Sequence, residues 1–201
     1  MEFALFFLNE SENNWVELPN ARLFYAPNFL SKDHADQTFH ILKKEINWQQ
    51  EKIRMFGKQV LQPRLQAWHG DKPYTYSGLA MQPLPWTSTL FDLKSRAEAI
   101  AKHSFNSVLA NLYRNGQDSM GWHQDNEIEL GINPVIASIT LGESRRFVLR
   151  HLITKERYQL ELAHGSLFIM AGETQHYWQH SIPKTARHKD ERINLTFRYI
   201  Y

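Results

Sequence analysis

The sequence has no cysteine among its 201 residues, and this absence excludes several kinds of chemistry. Disulfides, thiolate zinc sites, iron–sulfur clusters and a cysteine nucleophile all need a thiol. Any metal site in this chain must therefore use nitrogen and oxygen ligands.

Long apolar runs are lacking as well. The first eight residues have neither the basic start nor the small-residue cleavage site of a signal peptide, and no run reaches the roughly 20 apolar residues that span a membrane. We therefore expect a soluble protein without a membrane partner, cytoplasmic in general and nuclear if the source is a eukaryote. A net charge of +2 permits an anionic partner without requiring one.

Repeats and low-complexity tracts are absent, and 42% of the residues are hydrophobic, which predicts one domain around one core. The apolar spacing predicts two helices. One begins after Ser31 and runs for roughly 15 residues, and the other covers residues 87–103. The residues expected to face the core are Phe39, Ile41, Leu42 and Ile46 in the first helix, and Leu90, Leu93, Ala97 and Ile100 in the second.

Strands are predicted for most of the rest of the chain. Residues 50–76 contain short β-patterned pieces in which aromatic and basic residues alternate with turns, which is typical of a recognition surface. Six longer strands follow, at 107–113, 135–141, 146–152, 157–162, 166–170 and 192–199. Short strands at this spacing predict a sandwich or a barrel.

The pattern His-x-Asp occurs four times, and the local context decides which pair can hold a metal. The pairs are His34/Asp36, His69/Asp71, His123/Asp125 and His188/Asp190. Positions two apart face away from each other on a helix, which excludes the first pair. The second and fourth pairs lie in turn-like or strongly charged stretches that indicate solvated loops. Only the third pair lies in a strand-like stretch, where residues two apart share a face.

A third ligand must come from one of four later histidines. His164 precedes a glycine in a turn and His188 lies in a charged loop, which leaves His176 and His180. We favour His180, because it begins a strand in the same excursion of the chain that leads to Arg192. Two histidines and one aspartate are typical of non-haem Fe(II) oxygenases, whereas a zinc hydrolase is the alternative for three such ligands.

The last strand separates its residues into a polar face and an apolar face. The polar face consists of Arg192, Asn194, Thr196 and Arg198, and the apolar face of Ile193, Leu195, Phe197 and Tyr199. An edge strand would also alternate, but two inward arginines need anions opposite them and so favour a ligand. The strand at 107–113 adds a second polar wall with Asn111 and Tyr113. A carboxylate-binding wall favours an iron oxygenase over a hydrolase.

With these residues assembled, the sequence resembles the AlkB family of Fe(II)- and 2-oxoglutarate-dependent dioxygenases, most closely its nuclear vertebrate DNA-repair branch. The resemblance covers roughly residues 56–198. The matching motifs are Phe56-Gly57-Lys58, Pro63-Arg64, Gly70-Asp71, Tyr74-Thr75-Tyr76-Ser77-Gly78-Leu79, Asn111-Leu112-Tyr113, His123-Gln124-Asp125-Asn126-Glu127, His164-Gly165-Ser166-Leu167, His180-Ser181-Ile182-Pro183 and the segment from Arg192 to Arg198.

The resemblance implies an α+β, mainly β fold, a double-stranded β-helix or jelly-roll barrel with two supporting N-terminal helices and a nucleotide-recognition lid. The single domain would span residues 1–201, with the N-terminal extension and lid in about 1–80 and the catalytic jelly roll in about 104–201. A monomer is expected.

The resemblance also implies that Fe(II), 2-oxoglutarate and O₂ are used. Iron would be bound by His123, Asp125 and His180. The residues implied to bind 2-oxoglutarate are Arg192, assisted by Asn111, Tyr113 and Asn194, and Arg198, which is implied in catalysis as well. The reaction would convert 2-oxoglutarate and O₂ to succinate and CO₂ while hydroxylating an N-linked methyl group, which then leaves as formaldehyde.

The implied substrate is alkylated DNA, single- or double-stranded, with bases of the 1-methyladenine or 3-methylcytosine type. Such a cationic base would stack between Tyr76 and His123, with Tyr74 and Ser77 lining the pocket and Glu127 and Arg198 closing it. For Tyr74 and Tyr76 the alternative is ordinary strand aromatics.

Basic residues in loops are expected to meet the phosphate backbone, and one hairpin is expected to insert a side chain into the duplex. The basic residues are Lys58, Arg64, Lys184, Arg187 and Lys189, and the hairpin residues are Met55 and Phe56. RNA as substrate, a hydroxylase of protein or small molecules, and a non-catalytic cupin-like module remain the alternatives.

Overall fold

In the computed structural model of the protein, residues 4–5, 15–55, 58–76 and 79–201 are described. Strands β1 to β8 are Ala4–Leu5, Trp15–Leu18, Ala21–Ala26, Lys52–Met55, Lys58–Leu61, Leu65–Gly70, Tyr74–Tyr76 and Leu79–Met81. Strands β9 to β16 are Ser107–Tyr113, Met120–His123, Ile136–Gly142, Arg145–His151, Arg157–Leu162, Ser166–Ala171, Trp178–Ile182 and Arg192–Arg198. The helices are α1 (Lys32–Glu45), α2 (Ser88–Ala101) and α3 (Thr174–Tyr177), with a 3₁₀ turn at Ile128–Leu130.

Both long helices begin where the sequence predicts, because each has a side-chain cap. The Ser31 hydroxyl accepts the His34 N–H, and the Thr87 hydroxyl accepts the Leu90 N–H. Such caps satisfy backbone donors that have no partner within the helix. The two helix starts are thus determined locally.

The strands form two main sheets. The large sheet has the order β2-β3-β14-β11-β16-β9-β6, and the small sheet has the order β1-β13-β12-β15-β10. Two hairpins outside these sheets, β4–β5 and β7–β8, lie on either side of β6 in the chain. The predicted jelly-roll architecture is confirmed, and the six long strands match their predicted bounds to within one residue.

One face of each sheet turns toward the other sheet. The core between the sheets combines Phe168 and Met170 of the large sheet with Phe147, Leu149 and Trp178 of the small sheet. The outer face of the large sheet packs its apolar residues against α1 and α2 in a second core. The polar face of β16 therefore points into the space between the sheets, where a ligand can be enclosed.

Three positional predictions are wrong. Ile41 is 44% exposed and Ile100 is 36% exposed, because each lies on the edge of its helix that turns away from the large sheet. His69 does not lie in a solvated loop but is buried in β6, where its Nδ1 is 2.7 Å from the Pro85 carbonyl oxygen.

Within the described ranges, no helix is long and apolar enough to cross a membrane.

Candidate metal and cosubstrate site

Pairing between β10 and β15 brings the three predicted metal ligands together. His123 ends β10 and lies directly opposite His180 in the register, with ring centroids 4.1 Å apart. The Asp125 Oδ2 lies 3.7 Å from the His180 Nε2. One ligand atom from each of the three residues lies within 4.8 Å of the other two. No other such group of metal-binding side chains occurs in the described part of the chain, and His176 is exposed on α3.

Hydrogen bonds orient His123 and Asp125, and the Phe147 ring stacks on His180 with the ring centroids 5.4 Å apart. The His123 Nδ1 donates to the Gly121 carbonyl oxygen at 2.9 Å, so its Nε2 is left as the acceptor that a metal needs. The Asp125 N–H donates to the Gln175 Oε1 at 2.9 Å. The Arg198 Nη2 donates to the Asp125 Oδ1 at 2.7 Å, which leaves the second carboxylate oxygen toward the histidines. The ligands are thus held in place by the protein itself.

The protonation states suit a divalent cation. Burial, the largest single effect, would raise the pKa of Asp125, but the charge and hydrogen bond of Arg198 and the interactions with His180 and His123 together outweigh it and lower that pKa to about 2. Burial lowers the pKa of His180 to about 3 and also lowers the pKa of His123. At neutral pH the site therefore offers two neutral imidazoles and one carboxylate. This donor set fits Fe(II) with coordination positions left open.

An anion site lies on the same wall of β16. Arg192 is fully buried, and its Nη2 donates to the Thr140 Oγ1 at 2.9 Å and to the Asn194 Oδ1 at 2.7 Å. Its Nε and Nη1 find no hydrogen-bond partner among the described residues. Burial lowers the pKa of Arg192 to about 10, so the group is still a cation at neutral pH. A buried cation with two nitrogens whose N–H groups are unused fits a carboxylate such as that of 2-oxoglutarate.

One cavity extends from the metal-ligand group to the residues that surround Arg192, although Arg192 itself does not line it. Its lining includes His123, Asp125, His180 and Arg198 together with the polar residues Asn111, Tyr113 and Asn194. The Arg192 guanidinium lies over the Tyr113 ring, 5.1 Å from its centroid. The structure thus brings together the residues that the sequence predicted for iron and for 2-oxoglutarate. Arg198 does more than line this cavity, because it is bonded to a metal ligand.

The predicted phosphate contact of Arg64 is wrong. Arg64 is 3% exposed, and its Nε donates to the Asn111 Oδ1 at 2.8 Å. Its Nη1 donates to the Ser119 carbonyl oxygen at 3.4 Å. A guanidinium enclosed in this way supports the cosubstrate wall and cannot meet a surface phosphate.

The other predicted substrate residues fall into four groups. Glu127 is half-buried and follows the metal-binding stretch, as expected. Lys184, Arg187 and Lys189 line a surface cavity of about 260 Å³, where Lys189 forms an ion pair with Glu143. Phe56 and Ser77 lie outside the described residues. The strands that contain Met55, Lys58, Tyr74 and Tyr76 are described without their side chains.

Two contributors to the site were not predicted from the sequence, namely Gln175 and Thr140. Gln175 is fully buried and binds the Asp125 backbone, and Thr140 accepts a hydrogen bond from Arg192. Thr140 lies directly opposite Asn194 in the register, so alignment of β11 with β16 would have indicated it. No local pattern indicates Gln175.

Comparison with known proteins agrees with this geometry. The model of the 2OG-Fe(II) oxygenase superfamily matches residues 22–198. The alpha-ketoglutarate-dependent dioxygenase alkB homolog 3 of Bos taurus is 42% identical over 191 residues, which cover 90% of this chain and 67% of that protein. The DNA oxidative demethylase ALKBH2 of Homo sapiens is 37% identical over 182 residues, which cover 84% of this chain and 70% of that protein.

The chain spans about two thirds of the length of these relatives. Among solved structures, that of OsALKBH1 aligns with a TM-score of 0.60 at 18% identity and covers 91% of this chain and 99% of that chain, which supports the jelly-roll fold. The family uses Fe(II), 2-oxoglutarate and O₂, for which the ligand set and the Arg192 pocket are suited. This chain belongs to the 2OG-Fe(II) oxygenase superfamily.

Proposed function

We propose that this chain is an oxidative demethylase of N-alkylated nucleobases in DNA, of the 1-methyladenine or 3-methylcytosine type. It would consume 2-oxoglutarate and O₂ and release succinate, CO₂, formaldehyde and the repaired base. The proposal rests on one observation above all: a buried two-histidine, one-aspartate group shares a cavity with the wall of a buried, incompletely bonded arginine. The relatives' names, a dioxygenase and a DNA oxidative demethylase, support the choice of substrate.

In this proposal His123, Asp125 and His180 hold the iron, and Arg192 holds the distal carboxylate of 2-oxoglutarate with Tyr113 and Asn194 beside it. Bound iron supplies the activation of O₂ that couples decarboxylation of the cosubstrate to hydroxylation of the methyl group. The protein contributes orientation, because hydrogen bonds already fix His123, Asp125 and Arg192, and the Phe147 ring stacks on His180. Burial also excludes water from the reacting groups.

Arg198 has a separate task. Its bond to the Asp125 Oδ1 keeps that carboxylate ionised and limits it to one free oxygen for the metal. The same cation lies in the cavity that would receive a cationic methylated base, so its charge must remain paired. The bond to Asp125 provides that pairing.

The substrate side of the proposal uses the residues around the cavity mouth. Tyr76 would stack on the cationic base opposite His123, Tyr74 and Ser77 would line the pocket, and Glu127 would face the positive charge. Lys58, Lys184 and Arg187 would meet the phosphate backbone, and Lys184 and Arg187 are exposed as this requires.

The test is incubation of the protein with Fe(II), 2-oxoglutarate and a methylated oligonucleotide, read out by mass spectrometry as loss of the methyl group. We expect methyl loss that depends on both 2-oxoglutarate and iron. Parallel DNA and RNA strands with the same lesion identify the polymer. If 2-oxoglutarate is consumed but methylated nucleic acid neither stimulates its turnover nor loses methyl groups, the substrate is a protein or a small molecule instead.

A further inference from the structure

Trp122 is an exposed aromatic side chain next to a metal ligand. It lies on β10, the edge strand of the small sheet, and is 39% exposed. The register of β10 shifts between Met120 and His123, which both line the cavity, whereas Trp122 does not line it and packs under Arg150 of β12. Trp122 therefore lies on the outer face, about 3.8 Å along the backbone from a ligand of the site.

The Trp122 indole forms a cation–π contact with Arg150. The Arg150 guanidinium lies over the Trp122 ring, 4.5 Å from the centroid. Its Nη2 also donates to the Gln179 Oε1 at 2.6 Å, on the strand between β10 and β12. Trp122, Gln179 and Arg150 thus form one row across three strands, which we call the edge platform. The row carries an aromatic surface and a positive charge side by side.

The surroundings of the edge platform are open and basic. A Cβ atom placed on Gly121, the residue before Trp122, would meet nothing within 4 Å, so the space beside Gly121 is open. Arg146 shares the outer face of β12 with Arg150 and lies about 13 Å from it, at 3.3 Å per residue. The surface cavity that contains Lys184 and Arg187 begins beside Arg146. Basic side chains therefore outnumber acidic ones along this face, although Glu161 lies opposite Arg146 and lines the same cavity.

We propose that the edge platform binds the nucleotide next to the target base, with an unpaired base stacked against Trp122 and its phosphate near Arg150. A strand whose target nucleotide enters the cavity must pass an open edge of the barrel, and β10 is such an edge beside the site. Stacking on an aromatic side chain is available only to a base that has left a duplex, and phosphates match the charge. This inference rests on the proposed function. It predicts that the enzyme prefers substrates in which the nucleotide next to the target base is unpaired.

The experiment compares two substrates that carry the same methylated base, a single nucleoside monophosphate without any flanking nucleotide and a single strand of about 12 nucleotides. Loss of one base–aromatic stack costs roughly 1–3 kcal/mol, so Trp122→Ala should raise the KM for the longer strand about tenfold. Its kcat and its KM for 2-oxoglutarate should not change, and Trp122→Phe should restore most of the affinity. Phe91→Ala, at an exposed aromatic on α2, is the matched control and should change nothing.

A direct binding measurement separates this inference from the demethylase proposal. Fluorescence anisotropy of a labelled, unmethylated strand of the longer length is measured with metal-free protein, with and without Trp122→Ala. We expect about tenfold weaker binding by the variant, and for Arg150→Gln a salt slope of log Kd that is smaller by roughly 0.7.

Three results would overturn the edge platform. One is equal loss on both substrate lengths, which would mean that Trp122 acts through His123. Another is unchanged binding of the longer strand by Trp122→Ala. The third is no binding by the wild-type protein. If the wild type binds the strand but does not demethylate it, the demethylase proposal fails while the anisotropy comparison still decides the edge platform.

Discussion

Arg192 and Arg198 share one face of β16, but their neighbours give the two guanidinium groups different tasks. Arg198 is paired with the Asp125 carboxylate, so its charge is already satisfied within the protein. Arg192 bonds only neutral oxygens of Thr140 and Asn194, and two of its nitrogens find no partner in the part of the chain that the structure describes. A buried cation with unused N–H groups, such as Arg192, favours binding of an anion. A cation that is already in an ion pair, such as Arg198, has a structural role instead.

Arg192→Ala should therefore raise the 2-oxoglutarate concentration needed for half-maximal turnover about ten- to a hundredfold. A charge-assisted hydrogen bond shielded from water contributes roughly 1.5–3 kcal/mol. The measurement is KM for 2-oxoglutarate with the methylated oligonucleotide saturating. Arg146→Ala, at an exposed arginine, is the control, and an unchanged 2-oxoglutarate dependence in Arg192→Ala would contradict the assignment of the anion site.

Single alanine substitutions at His123, Asp125 or His180 should each abolish iron-dependent turnover, because a three-ligand site cannot lose one ligand and still hold the metal. Metal content after dialysis against Fe(II) or Mn(II) provides a readout apart from activity. His176→Ala is the matched control, since that histidine is exposed nearby on α3. Loss of metal in His176→Ala with retention in His180→Ala would show that the wrong histidine had been chosen.

Phe56 lies outside the described residues, and its role remains a prediction from the sequence. If it fills the space left by a flipped base, Phe56→Ala should impair repair of double-stranded DNA far more than that of single-stranded DNA, because unstacking costs most in a duplex. Met55→Ala should act in the same direction more weakly. Initial rates on the two substrates test this, and equal losses or a large drop in Tm would assign Phe56 to packing.

At the scale of elements, the four-residue helix α3 forms hydrogen bonds with the loop that contains Gln124 and Asp125. The Gln175 side chain accepts the Asp125 N–H through Oε1, and its Nε2 donates to the Met170 Sδ at 3.4 Å. In the other direction, the Gln124 side chain donates to the Gln175 carbonyl oxygen at 2.8 Å. The hydrogen bonds between Gln175 and residues 124–125 hold this loop in place directly after the edge strand β10.

Gln175→Leu should weaken metal binding about tenfold, because an unpaired buried N–H beside a ligand costs roughly 1–3 kcal/mol and loosens its orientation. Isothermal titration with Mn(II) measures the change in Kd. Gln37→Leu, at an exposed position on α1, is the control. A lower Tm with an unaltered metal Kd would restrict Gln175 to a structural role.

At the scale of the whole molecule, the space between the sheets holds polar and charged groups that a purely structural core would not contain. Four charged residues are buried between the sheets or at the rim of that space, namely Asp125, Arg145, Arg192 and Arg198. Arg145 is satisfied by carbonyl oxygens of Asn115, Asp118 and Pro183, which lie in the loops below the site. Two nitrogens of Arg192 have no hydrogen-bond partner among the described residues. Binding of an anionic ligand to this buried cation should therefore increase the free energy of unfolding more than ligand binding to an apolar core would.

Mn(II) and 2-oxoglutarate together should therefore raise the Tm measurably. At a hundredfold excess over Kd a ligand adds about 2.7 kcal/mol, which corresponds to roughly 5–10 °C for a chain of this size. Differential scanning fluorimetry of wild type and Arg192→Ala tests this. The variant should keep the shift caused by the metal and lose the shift caused by 2-oxoglutarate, and an identical response of both proteins would contradict the prediction.

The sequence by itself determined the features that depend on neighbouring residues. Side chains two apart on a strand share a face, so the polar wall of β16 followed from spacing alone. The pairing of His123 with Asp125 needed the strand-like context as well, because the same spacing occurs four times in the chain. The starts of α1 and α2 followed from Ser31 and Thr87, because capping is a contact within one turn.

Only the tertiary structure decided which of these faces were covered and which distant residues met. The pairing of β10 with β15 placed His180 opposite His123, and the position of α3 placed Gln175 under Asp125. Arg64 read as a basic loop residue because nothing near it in the chain shows that its guanidinium is enclosed against Asn111. Burial depends on contacts between segments far apart in the sequence, and local periodicity contains no information about those contacts.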